Sequence, residues 1–214
     1  MRIIVLIKPG AELEESDACA VEQALRVARR RLDIQVSVLT AGPSACVRAL
    51  RAALALGADD AVHVSDPRIS PHDALTLSRV LAASILELGY DLVLCGAASD
   101  APNLTMVPAM VAARLGIPAH CHTLRLDEDM IELPALISVA PRSSPPRHPP
   151  FPAVAEARQK LISTRTPKSI TPQQDPLITV KSLPSQPNMI IKAEADPRAA
   201  AAHLADFLAE RRFI

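Results

Sequence analysis

The sequence is nearly without aromatic residues: three Phe, one Tyr and no Trp among 214 residues. That excludes an aromatic core. The interior has to be built from Ala, Val, Leu and Ile, within a hydrophobic content of 49%. An excess of charge is also missing, because 23 Lys and Arg balance 23 Asp and Glu. No long basic run appears, which argues against nucleic acid and anionic membranes as partners. No apolar run reaches the roughly 18 residues of a membrane-spanning helix, so a membrane-embedded protein is not expected. The chain opens on the strand-like "RIIVLI" where a signal peptide would stand. There is no CxxC: Cys19, Cys46, Cys95 and Cys121 lie far apart, which reads as reduced thiols in a cytoplasmic protein. GxGxxG, a P-loop and a nucleophile elbow are all absent, and no catalytic set is identified.

What is present is a regular alternation over the first 118 residues. "RIIVLIK" (2–8) is an apolar run of strand length, followed by a helical pattern over 17–32 with Asp17 as N-cap. A strand at 34–42 precedes a helix at 44–58 that stops at Gly57. A strand at 61–66 precedes a helix at 72–90 closed by Gly89. A strand at 91–96 precedes a helix at 105–116, with Pro108 in its first turn. Strands apolar on both faces and separated by helices predict a mainly parallel sheet, covered on both sides: a doubly wound α/β domain. Ligands of such sheets sit beyond the carboxyl ends of the strands. Here that edge is made by the loops 8–16, 40–44, 65–72 and 96–105.

After Pro118 the pattern changes. "HTLRLDED" and "MIELPALISVAP" read as the two strands of a hairpin. "PRSSPPRHPPFP" has few strand or helix signals, and Pro, Ser, Thr and Gln dominate 164–197. Residues 197–214 read as an amphipathic helix. The expected organisation is an α/β domain over 1–162 and, over 163–214, an extended arm ending in a helix suited to subunit contact.

Three segments carry candidate chemistry. In "AHCH" (119–122), a strand would put His120 and His122 on one face and Cys121 on the other. That is either an incomplete metal site or a solvent-facing pair. The loop "SDAPNLTM" (99–106) leads into a helix whose N–H groups could bind a phosphate, with Asn103 and Thr105 as added donors. The alternative is that these residues only cap the helix. In "TAGP" (40–43), Gly42 either lets a ligand approach the backbone or simply makes the turn.

Several segments then resemble one known family in order: "RIIVLIKP", "AVEQALRVA", "VSVLTAGP", "RALRAALALGADDAVHVSD", "GYDLVLCGAASD", "LPALISV" and "PRHPPFPAVAEARQK". The chain resembles the beta subunit of electron transfer flavoprotein over most of residues 1–162, as a shortened and divergent member. The resemblance implies an adenine-nucleotide alpha hydrolase-like form of the doubly wound fold. It implies a heterodimer with an alpha subunit that holds the redox FAD. Such a pair carries electrons from flavin-dependent dehydrogenases to a downstream acceptor without catalytic residues in the beta chain. The family's beta subunit binds AMP or a second FAD. That nucleotide would meet Leu6, Thr40, Gly42, Gly96, Asn103, Leu104, Thr105, Met106 and Val107 here. The family's recognition loop maps to about 140–160, with an apolar residue that docks on the dehydrogenase at the position of Phe151. Arg147, Pro152 and Val154 would share that contact, and Pro149, Pro150 and Pro152 would stiffen it. The first loop is shorter than the family's and carries Glu14 where the family has Asn. Two other readings stay open: a nucleotide-free scaffold subunit of such a complex, and an adenine-nucleotide-binding regulatory module.

Overall fold

The apolar strand runs assemble as periodicity predicts. A computed structural model describes residues 1–30, 33–66, 69–70, 73–97, 102–124, 126, 131–167 and 197–210. The chain divides into two compact units, 1–171 and 172–214. In the first, seven parallel strands form one sheet in the order β5-β6-β4-β1-β2-β3-β7. They are β1 (Arg2–Leu6), β2 (Gln35–Ala41), β3 (Asp60–Val64), β4 (Leu92–Gly96), β5 (Ala119–Thr123), β6 (Ala135–Val139) and β7 (Ile162–Arg165). The helices are α1 (Glu15–Ala28), α2 (Val47–Leu56), α3 (Ala74–Leu88), α4 (Val107–Leu115) and α5 (Phe151–Gln159). This is the doubly wound α/β fold. In the second unit the described element is α6 (Pro197–Glu210), a 14-residue helix that starts on proline.

Strand alternation sorts the core onto the two faces. Ile3, Val5, Val36, Val38, Leu92, Leu94, Ile137 and Val139 pack with α1, α2 and α5. Ile4, Leu6, Leu39, Val62, Val64, Val93 and Leu136 pack with α3 and α4. The largest fully buried side chains are Ile, Leu, Val and His63, so the aliphatic interior expected from the scarcity of aromatics is what forms.

Helix ends follow local chemistry. Asp73 caps α3 by accepting the Thr76 N–H at 3.1 Å. Gly57 and Gly116 end α2 and α4 at positive φ, 123° and 68°, where a Cβ would be strained. Pro108 sits in the first turn of α4 as expected. One cap is corrected: Glu14, not Asp17, is the N-cap of α1. Asp17 lies inside the first turn and is 1% exposed, because its carboxylate ties the helix to the strands.

The region after Pro118 departs from expectation. Among the described residues no antiparallel pairing forms there: β6 runs parallel to both β4 and β5, with Ala119 opposite Leu136, and residues 125 and 127–130 of the expected hairpin lie outside the described residues. Antiparallel neighbours accept a two-residue turn, whereas parallel ones need a long return. Strand alternation also fails across His120–His122. The register shifts between His120 and Thr123, and His122 adopts a φ of 57°. Both histidines are exposed, and among the described residues no His, Cys, Asp and Glu group is arranged to hold a metal. The edge strand β7 pairs with β3 and crosses the 162/163 boundary drawn from composition. Most of the proposed arm, 168–196 and 211–214, lies outside the described residues.

Candidate functional site

A doubly wound sheet opens a crevice where its strand order reverses. Here β2 and β3 build to one side of β1, and β4 and β6 to the other. The crevice therefore lies over the carboxyl ends of β1 and β4. It is lined by Leu6, Lys8 and Pro9 from the β1 end, Cys95 and Gly96 from β4, and Leu104, Val107 and Pro108 before and within α4. Four of the nine residues expected to meet a nucleotide are thus brought together: Leu6, Gly96, Leu104 and Val107. Thr105 and Met106 are exposed and do not line it, and the side chain of Asn103 lies outside what is described.

Thr40 and Gly42 stand one strand over, at the end of β2. The Thr40 hydroxyl is buried beside the Cys46 thiol. A Cβ on Gly42 would lie 3.1 Å from Cys46 Sγ and 3.2 Å from Pro9. Its carbonyl accepts from buried His63 Nε2 at 3.0 Å. A side chain at Gly42 would therefore meet the protein itself, and its φ of 152° suits the close turn.

Lys8, the charged residue of the crevice lining, belongs to a network that sequence reasoning missed. Lys8 Nζ donates to Asp17 Oδ1 at 2.5 Å and to Ser16 Oγ at 2.8 Å, and the Lys8 N–H donates to Asp17 Oδ2 at 2.8 Å. Glu14 adds a second carboxylate 3.4 Å from Nζ. Burial pushes the Asp17 carboxyl above its ordinary range, against the charge and hydrogen bonds of Lys8 and a bond from the Gly96 backbone. Burial likewise raises the Cys95 thiol, with the Asp17 charge adding to it. The only available signal was a lysine just past β1, nine residues before Asp17 in an acidic helix start.

This geometry tests the implied nucleotide. The described walls of the crevice are almost wholly apolar, and residues 98–101, between β4 and α4, lie outside the described residues. Lys8 is already neutralised, and the first turn of α1 is acidic (Glu15, Asp17), which disfavours a phosphate there. The described charge around Lys8 therefore offers a phosphate no free cation at this point of the crevice.

The second candidate site is the segment 145–160. Arg147 grips Glu22 of α1 with both guanidinium branches, Nε to Oε2 at 2.7 Å and Nη2 to Oε1 at 3.1 Å. The far end is held too: Arg51 of α2 donates to the carbonyls of Ala157 (2.6 Å) and Lys160, as cations commonly do at helix C-termini. Lys160 Nζ reaches the Ala58 carbonyl at 3.1 Å. Between these two anchors Phe151 stands at the first turn of α5, 82% exposed. Pro152 is exposed beside it, and Val154 is partly buried against the core.

Burial pushes the Glu22 carboxyl up, but the hydrogen bonds and charge of Arg147, helped by Arg26, outweigh it and hold the group below its ordinary 4.5. A folded-state pKa below the unfolded one means stabilisation present above pH 4.5 and lost as pH falls through the folded value. Arg147→Ala is expected to cost about 2 kcal/mol at neutral pH. The deficit should shrink on acidification, as read by urea unfolding at pH 7 and pH 3.5. A deficit that does not change with pH would refute the role given to this pair.

Comparison with known proteins adds a separate line. A family model described as the electron transfer flavoprotein domain matches residues 3–131. The chain is similar to "Electron transfer flavoprotein subunit beta" of Mycobacterium tuberculosis, at 32% identity over 187 residues, covering 77% of this chain and 70% of the relative. It is similar to the protein of the same name from Sus scrofa, at 31% over 162 residues (67% of this chain, 64% of the relative). It is also similar to the one from Megasphaera elsdenii, at 26% over 170 residues (68% and 63%).

Proposed function

Because the chain belongs to the electron transfer flavoprotein beta-subunit family, we propose that it pairs with an electron transfer flavoprotein alpha subunit, forming a heterodimer whose redox FAD is held mainly by that partner. The family role is electron transfer. The beta chain contributes no acid, base or nucleophile, because tunnelling between flavins depends on distance and orientation. A flavin-dependent dehydrogenase delivers electrons after docking on the segment 145–160.

The observation that carries this reading is Phe151, a large apolar side chain 82% exposed between two anchored ends. An exposed aromatic on a rigid mount suits an anchor for a partner's pocket, since little conformational entropy is lost on binding. Pro152 and Val154 flank it. Arg147 serves the contact by holding the loop through Glu22. Among the described residues no helix is long and apolar enough to cross a membrane.

A second reading, favoured by the neutralised Lys8 and the acidic first turn of α1, is that the chain works without a nucleotide of its own. Co-expression with an alpha-subunit chain, followed by a visible spectrum and analysis of released nucleotides, separates the readings. A flavin spectrum without AMP is the expected result. Flavin with AMP would restore the family's nucleotide at this site. A stable ATP-bound homodimer without flavin would overturn the electron-transfer reading in favour of a regulatory module.

Phe151→Ala is expected to weaken docking by about 2 kcal/mol, about 30-fold in affinity. The rate of reduction at limiting dehydrogenase should fall, while the heterodimer's melting temperature stays the same. Lost thermal stability with an unchanged rate would mean that Phe151 packs within its own complex.

A further inference from the structure

Beside Phe151 lies a groove that the docking segment itself helps to build. Leu13, Ala55 and Leu56 form one side and Val154 and Ala157 the other, with Pro146 and Pro149 at one end. Its volume is about 440 Å³, within the range of preformed ligand pockets. Phe151, Val154 and Arg158 fall at spacings of three and four along α5, so they share one helical face. Phe151 therefore stands on the same helical stripe as residues that line the groove.

The walls are fixed by polar ties. Arg51 joins α2 to the carboxyl end of α5, Lys160 joins that end to Ala58, and Arg147 ties the proline end to Glu22. The lining also has a sign. It includes Arg51, Arg147, His148 and Arg158 and no carboxylate. Glu22 pairs with Arg147 but is shared with Arg26, and the bonds of Arg51 go to carbonyls, so the rim keeps a net positive charge. An apolar slot with a cationic rim is complementary to an apolar side chain flanked by carboxylates.

We infer that this groove is a socket for an acidic, apolar-tipped segment of the electron-donating dehydrogenase, so that docking pairs the Phe151 knob with a socket alongside it. The inference rests on the reading that this segment docks a dehydrogenase. Knob and socket together fix rotation as well as distance, which a single anchor cannot do.

Ala52 is exposed on α2 and lines the groove, so Ala52→Phe fills the socket from a position that tolerates a larger side chain. Steady-state reduction of the purified heterodimer by a dehydrogenase that reduces the wild type provides the test. The variants are Ala52→Phe, Ala52→Ser as a size control, Arg158→Glu and Phe151→Ala. The socket predicts that Ala52→Phe raises KM for the dehydrogenase about tenfold with kcat and melting temperature unchanged, and that Ala52→Ser has no effect. Arg158→Glu should raise KM and flatten its dependence on salt. If Phe151→Ala raises KM and Ala52→Phe does not, the docking reading stands and the socket is wrong. If Ala52→Phe raises KM and Phe151→Ala does not, the socket stands and the anchor is wrong. If Ala52→Phe instead prevents co-purification with the alpha subunit, the groove belongs to the heterodimer interface and the inference is overturned.

Discussion

Lys8→Met should destabilise the protein by about 3–5 kcal/mol, the range for breaking a buried ion pair from one side. Methionine keeps the stem and the backbone N–H but removes the ammonium that binds Asp17, Ser16 and Glu14. Asp17, 1% exposed, would then keep only backbone donors. The pH signature has a definite sign. The Asp17 carboxyl is raised above its ordinary 3.8 in the folded protein, so the folded state binds the proton more tightly than the unfolded one. Such a group lowers stability as pH rises through the interval above 3.8. Without Lys8 the interval widens, so the deficit of Lys8→Met should be larger at pH 8 than at pH 5 in urea unfolding. Adding Asp17→Asn should recover part of it. A deficit of equal size at both pH values would show that the stem, not the charge, matters.

The alternation of apolar runs and helical patterns made the first four strands and helices legible, because in a parallel sheet covered on both faces the strands are apolar throughout. The stretch after Pro118 was not legible. A strand pattern fixes that a segment is extended, but not which neighbour it joins or in what direction. "HTLRLDED" and "MIELPALISVAP" therefore read as a hairpin, although the strand in the second of them, β6, runs parallel to both its neighbours, β4 and β5. β7 was missed for a related reason. "ISTR" is short and polar, as suits an edge strand, and its place is set by β3, about a hundred residues earlier.

The candidate site divides in the same way. Phe151 stood out because it is a rare aromatic among prolines, a feature of local sequence, and it is exposed. Leu6, Gly96, Leu104 and Val107 come together because strand ends and the loop before α4 converge in any such fold. The ties that give the site its character join distant residues. Glu22 and Arg147 are 125 positions apart, and Arg51 reaches Ala157 across 106. Nothing local marks Glu22, one of several acids on α1, as the one buried carboxylate that holds the docking segment.

Gly96→Ala is expected to cost about 3 kcal/mol, at the upper end of overpacking. A Cβ there would lie 2.6 Å from Asp17 Oδ1, 2.6 Å from Ser16 Oγ and 2.7 Å from the Ser16 carbonyl carbon. The last of these is backbone, so no rotamer change relieves it and α1 has to move away from β4. That displacement has a functional reading, because α1 also carries Glu22, the anchor of Arg147. Gly96→Ala should therefore lower the urea midpoint and also loosen the loop that presents Phe151, raising KM for the dehydrogenase at temperatures where the variant is fully folded. Its effect should not add to that of Lys8→Met, since both act through Asp17 and neighbouring sites couple. Full additivity in the double variant would separate the two sites and leave Gly96 a local packing residue.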